Sequence, residues 1–564
     1  MSFIDEAATR DRNTDYDPSA FKQVFETSFT YAHAVERNTH RYAARTAVVD
    51  GPTGRSWSYR QLGEVTGGLV AGLAKRGVGV GDIVAYQLMN RPEFAFLYVA
   101  AQGLRAVSSP MNFRLAPAET GHILRTARPA VFVYEGASSA DVRTAIALAG
   151  FTPATLAYVG EDADPLPGAI PFDELVEAGA PSFTAPEGGS VWDETSRLYT
   201  SGTTGMPKAV PLTSLNEVLT AHDVIMQFPL GPTDRTMNMS PWFHRGGNYC
   251  AGPNTAFYVG AQVVTLHQFD PEVVLDAVEH DGLTYVVGAP TNLERLADAQ
   301  EAKPRDLSSL SGIVTMGAPL ERAAALRYQR VLTPRIANGY GTTEAFWNTY
   351  LRPEDLPDAA GAAGRACIDD DVAVVNVYAD EVADPTDTVA KDGAAIGEVI
   401  MRTVKSGYAY MDKPEEQAKK FHDGWLYPGD LATWDENEIV TVIGRKDDMV
   451  ISGGENIHPV QVEEVLAGHA DVADSIVTGA PDPEWGEVVV AYVLPRPGKL
   501  TDAAAAAAEL DRFCQESVSL ARFKRPRLYR FVSELPYTAT GKKQHFVMKE
   551  QAAKDVAEQA FSRP

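Results

Sequence analysis

The segment Leu198-Tyr-Thr-Ser-Gly-Thr-Thr-Gly-Met-Pro-Lys208 carries the residue types best suited to chemistry in this 564-residue sequence. A strand that ends in a run of small, hydroxyl-bearing and glycine residues exposes backbone N–H groups. Glycine permits positive φ and close approach, Ser and Thr hydroxyls add donors, and a lysine adds a point charge. These are the parts of a polyphosphate cradle. The spacing does not match GxxxxGK[ST], so Walker-type NTPase chemistry is not supported. A polar Gly-rich turn shares some of this composition; six hydroxyl or glycine positions in a row plus a lysine favour phosphate.

Five further segments offer complementary groups. Asn338-Gly-Tyr-Gly-Thr-Thr-Glu344 combines two glycines, an aromatic face, hydroxyls and one carboxylate, suited to stacking a base and holding a metal-bound phosphate; alone, it reads equally as a tight β-turn. Tyr427-Pro-Gly-Asp430 places a carboxylate on a turn, where it can accept two hydrogen bonds from a ribose diol. Arg445-Lys-Asp-Asp448 in isolation is a solvated charged turn, and Lys542 in Thr538-Ala-Thr-Gly-Lys542 an ordinary surface lysine. Ser240-Pro-Trp-Phe-His-Arg-Gly-Gly-Asn248 sets a histidine among aromatics, a pattern more common in cores than at reacting centres.

Taken together and in this order, the segments closely resemble the adenylate-forming superfamily: acyl- and aryl-CoA ligases, adenylation domains and firefly luciferase. The resemblance runs from about residue 40 to 548. It implies that Thr200, Ser201, Gly202, Thr203, Thr204, Gly205 and Lys208 hold the phosphates of ATP. It further implies that Gly317, Ala318 and Pro319 form the adenine-side wall, with Asn338, Gly339 and Gly341 in the adjoining turn. Tyr340 would stack on adenine, Thr343 contact the α-phosphate, and Glu344 with Thr200 hold Mg²⁺. Asp430 and Arg445 would bind ribose, although Pro428 stands where the family usually has Thr or Ser. Asp447 would be the hinge that absorbs backbone rotation between two states. Gly453 and Gly454 would let the backbone run beside pantetheine, and Lys524 would meet CoA phosphates.

The same resemblance gives Lys542 the role of stabilising charge between carboxylate and α-phosphate. His545 stands three residues on, where Arg or Lys is usual. His244 would close the acid pocket near the reacting carboxylate, and Trp242, Phe243, Phe346, Trp347 and Gly317 would line it, favouring apolar or aryl acids. Arg245 stays open between a second anionic group, a CoA phosphate and a surface salt bridge, with the last as the default.

The elements that must position these residues follow an α/β pattern. Apolar runs such as Thr46–Asp50 and Ile83–Leu88 are short and partly β-branched, whereas Tyr59, Leu62, Val65, Leu69 and Leu73 recur at helical spacing before Gly77. Helices are expected over Pro92–Arg105 and near Ala118–Ala127, before a strand Ala130–Tyr134. The alternation resumes with a strand Gly260–Leu266, a helix Pro271–His280, a strand Leu283–Gly288, a helix from about Thr291, a strand Ser311–Met316 and a helix Glu321–Leu332. Such alternation predicts a largely parallel sheet covered by helices. A β-rich subdomain is expected from Gly361 to about Thr441. A boundary at 446/447 then separates a large N-terminal ATP- and acid-binding domain, 1–446, from a small mobile α+β C-terminal domain, 447–564. In the latter, Thr501 or Asp502 caps a helix through Ala503–Ala508, with Leu510, Phe513 and Val518 on its apolar side.

Composition narrows the class. Apolar residues at 45% and charged residues at 22% are ordinary for a globular chain. The net charge of −25 disfavours nucleic acid and anionic membrane surfaces, which select excess Lys and Arg. Three scattered cysteines without CxxC spacing argue against a disulfide framework or structural zinc. No apolar run approaches the roughly 20 residues needed to span a bilayer, and the N-terminus lacks signal-peptide order, so a cytoplasmic protein is expected. One stretch runs against the global acidity: Arg522 to Lys549 holds eight Lys/Arg against the single acid Glu534, a net of +7.

The sequence thus reads as an ATP-dependent carboxylic acid:CoA ligase, with ATP, Mg²⁺ and coenzyme A as its cosubstrates and metal. Alternatives are an adenylation enzyme that passes the acyl group to a carrier protein or an amine, and a non-catalytic nucleotide-binding protein. Homodimers are common in the family, but no interface is legible in the chain.

Overall fold

The computed structural model describes residues 17–201, 206–378, 381–452, 455–483, 485–517, 520–537 and 543–564. The chain divides into two compact units, one made of residues 1–222, 230–233 and 253–265, the other of 223–229, 234–252 and 266–564.

The first unit carries a seven-stranded sheet in the order Ile170–Pro171, Thr155–Val159, Val131–Glu135, Ile83–Gln87, Val107–Pro110, Glu194–Ser201, Pro207–Thr213. All neighbours are parallel except the last pair, an antiparallel hairpin. The expected alternation is present: the helix Tyr59–Lys75 precedes these strands in the chain, and the helices Pro92–Gly103, Pro117–Ala127 and Ser139–Ala149 fall among them. The strand Ile83–Gln87 is buried at every position, as a central parallel strand covered on both faces should be. Ser58 and Gln61 form a reciprocal capping box that starts the helix Tyr59–Lys75.

In the second unit the strands Arg235–Asn238, Tyr285–Gly288, Gly312–Met316 and Ile336–Thr342 run parallel, extended antiparallel by Phe346–Leu351 and Arg365–Ala366. The predicted helices appear as Pro271–Asp281, Pro290–Ala302 and Arg322–Val331. The strand expected over Gly260–Leu266 is shorter, Gln262–Val264. Gly260 lies at φ +88 and donates its N–H to the Ala256 carbonyl, so it closes the preceding helix instead of opening a strand. The predicted β-rich region is a six-stranded antiparallel sheet whose edges include Asp370–Val375 and Val440–Arg445.

Beyond residue 449 the chain forms a further five-stranded sheet with the helices Pro459–Ala467, Ala503–Glu516 and His545–Ala557. Its strand Gly486–Pro495 shows the period of two directly. Val489, Ala491 and Val493 enter one hydrophobic cluster with Leu466, Leu510 and Cys514; Val488, Val490 and Tyr492 enter another with Met548 and Ala552. Asp502 caps the alanine-rich helix, accepting from the N–H groups of Ala504 and Ala505. That helix buries Ala506, Ala507, Leu510 and Cys514 at helical spacing; Val518 lies outside the described residues. Among the described residues, no helix is long and apolar enough to cross a membrane. All three cysteines are free and buried.

Candidate functional site

Thr200 and Lys208 face each other across the hairpin of the first unit, next to the pair Ser201 and Pro207. The expected cradle residues Gly202, Thr203, Thr204 and Gly205 lie outside the described residues. Lys208 is buried in the strand Pro207–Thr213. The root of the hairpin is fixed by a carboxylate that the sequence did not single out. Glu217, fully buried, accepts hydrogen bonds from Ser196 Oγ, Thr195 Oγ1 and Gln102 Nε2. Three donors on one carboxylate satisfy a charge that burial would otherwise penalise heavily.

The second unit brings together Tyr340, Asp430 and Arg445 from three separate strands. The Tyr340 hydroxyl donates to Asp430 Oδ2 at 2.7 Å, and Arg445 Nη1 to Asp430 Oδ1 at 3.0 Å. Asp430 and Arg445 are direct partners across the antiparallel pair, so the sheet register itself sets their approach. Burial, reinforced by Asp430, pushes the Tyr340 phenol well above its ordinary range, which keeps it protonated as a donor. The Pro428 carbonyl accepts from both Lys420 Nζ, at 2.7 Å, and Arg445 Nη2, at 3.2 Å. Pro428 thus takes part through its main-chain carbonyl, a contact that does not depend on the side chain at this position. Burial and the neighbouring Arg445 pull the Lys420 ammonium below its usual range. No motif pointed to Lys420.

Glu344 is also buried, and its Oε1 accepts the Tyr410 hydroxyl at 2.6 Å. The turn between the strands Ile336–Thr342 and Phe346–Leu351 is held by close packing. A Cβ on Gly339 would stand 2.5 Å from Trp347 Cε3, and one on Gly341 1.6 Å from the Phe346 carbonyl oxygen. These glycines are needed first by the chain's own aromatic pair. Asn338 is buried and donates to the Ala362 carbonyl. Gly317, Ala318 and Pro319 follow the strand Gly312–Met316 at its C-terminal end, partly to fully exposed, with Gly317 at φ +88.

The aromatic residues expected around the acid fall in two sequence-adjacent sets, 242–244 and 346–347. Trp242, Phe243, Phe346 and Trp347 are buried; the Phe243 and His244 rings are 4.3 Å apart, and those of Phe346 and Trp347 4.8 Å. His244 is half-buried at the start of the short helix Arg245–Tyr249. Arg245 corrects the default expectation of a surface salt bridge. It is 2% exposed, and Nη1 donates to the Thr343 carbonyl at 2.9 Å while Nη2 donates to that of Lys405. A helix that presents its apolar neighbours inward carries Arg245 inward with them.

Lys405 was not anticipated either. It lies buried against Asp223 and Asp370, at 2.5 and 2.7 Å. Burial alone would lower its pKa, but Cys367, Asp223 and Asp370 outweigh that and raise it, so the ammonium stays charged. Asp223, Cys367 and Asp370 bring three ligand-type atoms within 4.8 Å of one another. With Lys405 donating to both carboxylates, the group is an internal ion cluster.

Asp447 lies in the turn Lys446–Asp448 with its side chain exposed, 3.9 Å from Arg445. Lys524 donates to Gln461 Oε1 at 2.8 Å. Gly453, Gly454 and Lys542 lie outside the described residues. Four of the eight basic residues of the island are paired with carboxylates in space. Arg525 pairs with Asp511, Arg530 with the buried Asp555, Lys543 with Glu463 and Asp474, and Lys549 with Glu487. Arg522, Lys524 and Arg527 have no carboxylate partner among the described residues.

Residues 35–408 match the AMP-binding enzyme family and residues 461–542 match its C-terminal domain. The chain belongs to the AMP-binding enzyme family. It is 33% identical to an indoleacetate–CoA ligase of Aromatoleum aromaticum over 90% of this chain and 94% of that protein. A solved anthranilate CoA ligase, AuaEII in complex with anthranoyl-AMP, superposes with a TM-score of 0.83 at 26% identity, covering 94% of this chain and 98% of that one. An amide bond synthetase, McbA of Marinactinospora thermotolerans, does so with a TM-score of 0.79 at 25% identity, covering 92% and 99%.

Proposed function

We propose that this protein is an AMP-forming carboxylic acid:CoA ligase acting on an aryl or other apolar acid. The observation that carries the reading is the Tyr340–Asp430–Arg445 cluster, in which one carboxylate collects donors from two strands. A carboxylate so placed is suited to exchange those partners for a ribose diol, beside an aromatic ring suited to adenine. The chain divides at 446/447 in this proposal, and Asp447 is its hinge.

In the first half-reaction the acid's carboxylate attacks the α-phosphorus of ATP and pyrophosphate leaves. The nucleophile is already ionised, so the protein orients it and stabilises charge. Thr200, Ser201 and Lys208 of the first unit, with the loop 202–205, hold the departing phosphates. Glu344 and Thr200 offer hard oxygen donors, the ligand type Mg²⁺ selects; when bound, the ion neutralises phosphate charge. Tyr410, by donating to Glu344, fixes the carboxylate for that task. Lys542 stabilises charge between carboxylate and α-phosphate. In the second half-reaction the CoA thiol attacks the acyl-adenylate carbonyl, the thioester forms and AMP leaves. Phe243, His244, Phe346 and Trp347 exclude water from the reactive anhydride, and Lys524 meets the CoA phosphates.

The likeness to an amide bond synthetase favours one second reading, with an amine as acceptor. One experiment tests both. A carboxylic-acid panel is incubated with ATP and Mg²⁺, and pyrophosphate exchange is read. Productive acids are then given CoA or an amine. Acid-dependent exchange with CoA thioester and AMP is expected. Exchange with amide and no thioester overturns the acceptor, and no exchange with any acid overturns adenylation.

A further inference from the structure

Lys405 Nζ donates to the Trp347 carbonyl at 2.7 Å, to Asp370 Oδ2 at 2.7 Å and to Asp223 Oδ2 at 2.5 Å. That uses all three donors of an ammonium. Asp223 Oδ2 in turn accepts from the Trp347 indole Nε1. Trp347 is therefore gripped at its main chain and its side chain through one buried cation. Asn348 Nδ2, on the next residue, donates to Asp370 Oδ2 at 2.9 Å.

Phe346 is constrained in a different way. Its φ of +62 lies in the left-handed region, which bulky side chains occupy only where their surroundings enforce it. The Arg245 guanidinium stands 5.7 Å from its ring while tying Thr343 to Lys405. Burying three charges is costly, and apolar residues of the same volume often pack as stably; ionic clusters are retained where they fix one conformation.

We propose that the Lys405–Asp223–Asp370 cluster, with Arg245, is a positioning device that locks Phe346 and Trp347 as a rigid pocket wall and so selects flat aryl acids over thicker alicyclic ones. The inference rests on the ligase reading above, which assigns both aromatics to the acid pocket. A flat ring stacks on a fixed aromatic face, whereas a puckered ring needs the wall to recede. Asp223, Asp370 and Lys405 act through Trp347.

The test compares acids that differ only in ring saturation: benzoate with cyclohexanecarboxylate, phenylacetate with cyclohexylacetate, and the corresponding propanoates. The ratio of kcat/KM within a pair, measured by acid-dependent pyrophosphate exchange in one preparation, is unaffected by the fraction of protein that is folded. The wild-type ratio is expected to favour the aryl acid at least tenfold. The neutral, near-isosteric triple variant Lys405→Met, Asp223→Asn, Asp370→Asn should lower it at least fivefold, chiefly through KM for the acid. Trp347→Phe, which removes the indole donor, should act in the same direction. A ratio within twofold of wild type in a cooperatively melting triple variant overturns the proposal. If that variant does not fold, Trp347→Phe decides by the same criterion. A wild-type ratio below threefold also overturns it. Absence of exchange with every acid of a broad panel removes the ligase reading and this inference with it, whereas exchange with unchanged ratios removes this inference alone.

Discussion

Asp430 receives the Tyr340 hydroxyl and the Arg445 guanidinium on its two oxygens, so one substitution dismantles the cluster. Asp430→Ala removes two hydrogen bonds to a charged acceptor and the proposed diol contact. A charged hydrogen bond is worth about 1.5–3 kcal/mol, so KM for ATP should rise about 10- to 100-fold in an exchange assay, with KM for the acid nearly unchanged. Tyr410→Phe is the sharper probe of the metal reading. Loss of a hydrogen bond to a metal ligand typically weakens metal binding about 10- to 100-fold; the Mg²⁺ concentration giving half-maximal exchange should rise accordingly, and an unchanged Mg²⁺ dependence would remove Glu344 from that role. Tyr340, Asp430 and Arg445 were legible in the sequence because each sits in a motif of distinctive composition. Tyr410 was not, because its partner lies 66 residues away and only the folded chain joins them. Arg245 was misplaced for a related reason: a charge is read as exposed unless carbonyls from distant segments are known to receive it.

At the scale of elements, the C-terminal helix His545–Ala557 is pinned at its first residue. His545 Nε2 lies 2.7 Å from Glu463 Oε1, and Nδ1 3.9 Å from Asp448. Burial by itself would lower the His545 pKa, but Glu463 and Asp448 outweigh both burial and the opposing Lys543, so it is raised. A raised folded-state value means that the protonated imidazole stabilises the fold fully below its unfolded pKa of about 6.5 and ceases to do so as pH rises through the higher folded value. Stability of the C-terminal sheet should thus fall by about 1.5–3 kcal/mol on going upward from pH 6.5, the scale of one charged hydrogen bond. His545→Gln should flatten that slope in urea titrations across pH 6–9; an unaltered slope would contradict the assignment. Periodicity placed earlier helices such as Pro271–Asp281 within a residue or two, since their apolar spacing is local, whereas the C-terminal helices Pro459–Ala467 and His545–Ala557 were not anticipated. The strand at 262–264 was overextended because Gly260 serves the helix before it, a choice made by backbone angle and not by hydropathy.

For the whole molecule, the net charge of −25 must coexist with anionic substrates. The +7 island looked like the answer, yet four of its basic groups are paired with acids drawn from outside that stretch. Charge counted along a chain differs from charge summed in space, and no pattern within residues 522–549 announces Asp511, Asp555, Glu463 or Glu487 as partners. Apart from Lys542, which lies outside the described residues, what remains for the proposed CoA contact is the smaller set Arg522, Lys524 and Arg527. Lys524→Ala should raise KM for CoA about two- to tenfold and weaken its dependence on ionic strength, as expected for removal of one screened contact. A CoA KM unchanged in both respects would place the phosphates elsewhere. The parallel-then-antiparallel order of layers was readable from alternating elements. The Lys405 cluster was not, since its members are scattered from 223 to 405 with no shared spacing.

The three sequestered thiols make the chain a clock for its own opening. Burial pushes Cys250 and Cys367 well above the ordinary thiol range and Cys514 up to about 11, so each is doubly shielded from a thiol reagent, by access and by protonation. Cys514 reports on the C-terminal sheet, and Cys367 sits beside the Lys405 cluster. Labelling rates read by peptide mass would time the exposure of each region separately, without introducing a probe. The same inertness leaves one engineered surface cysteine, for instance at the exposed Asp447, as the sole reactive handle for a dye that would test whether the proposed hinge turns.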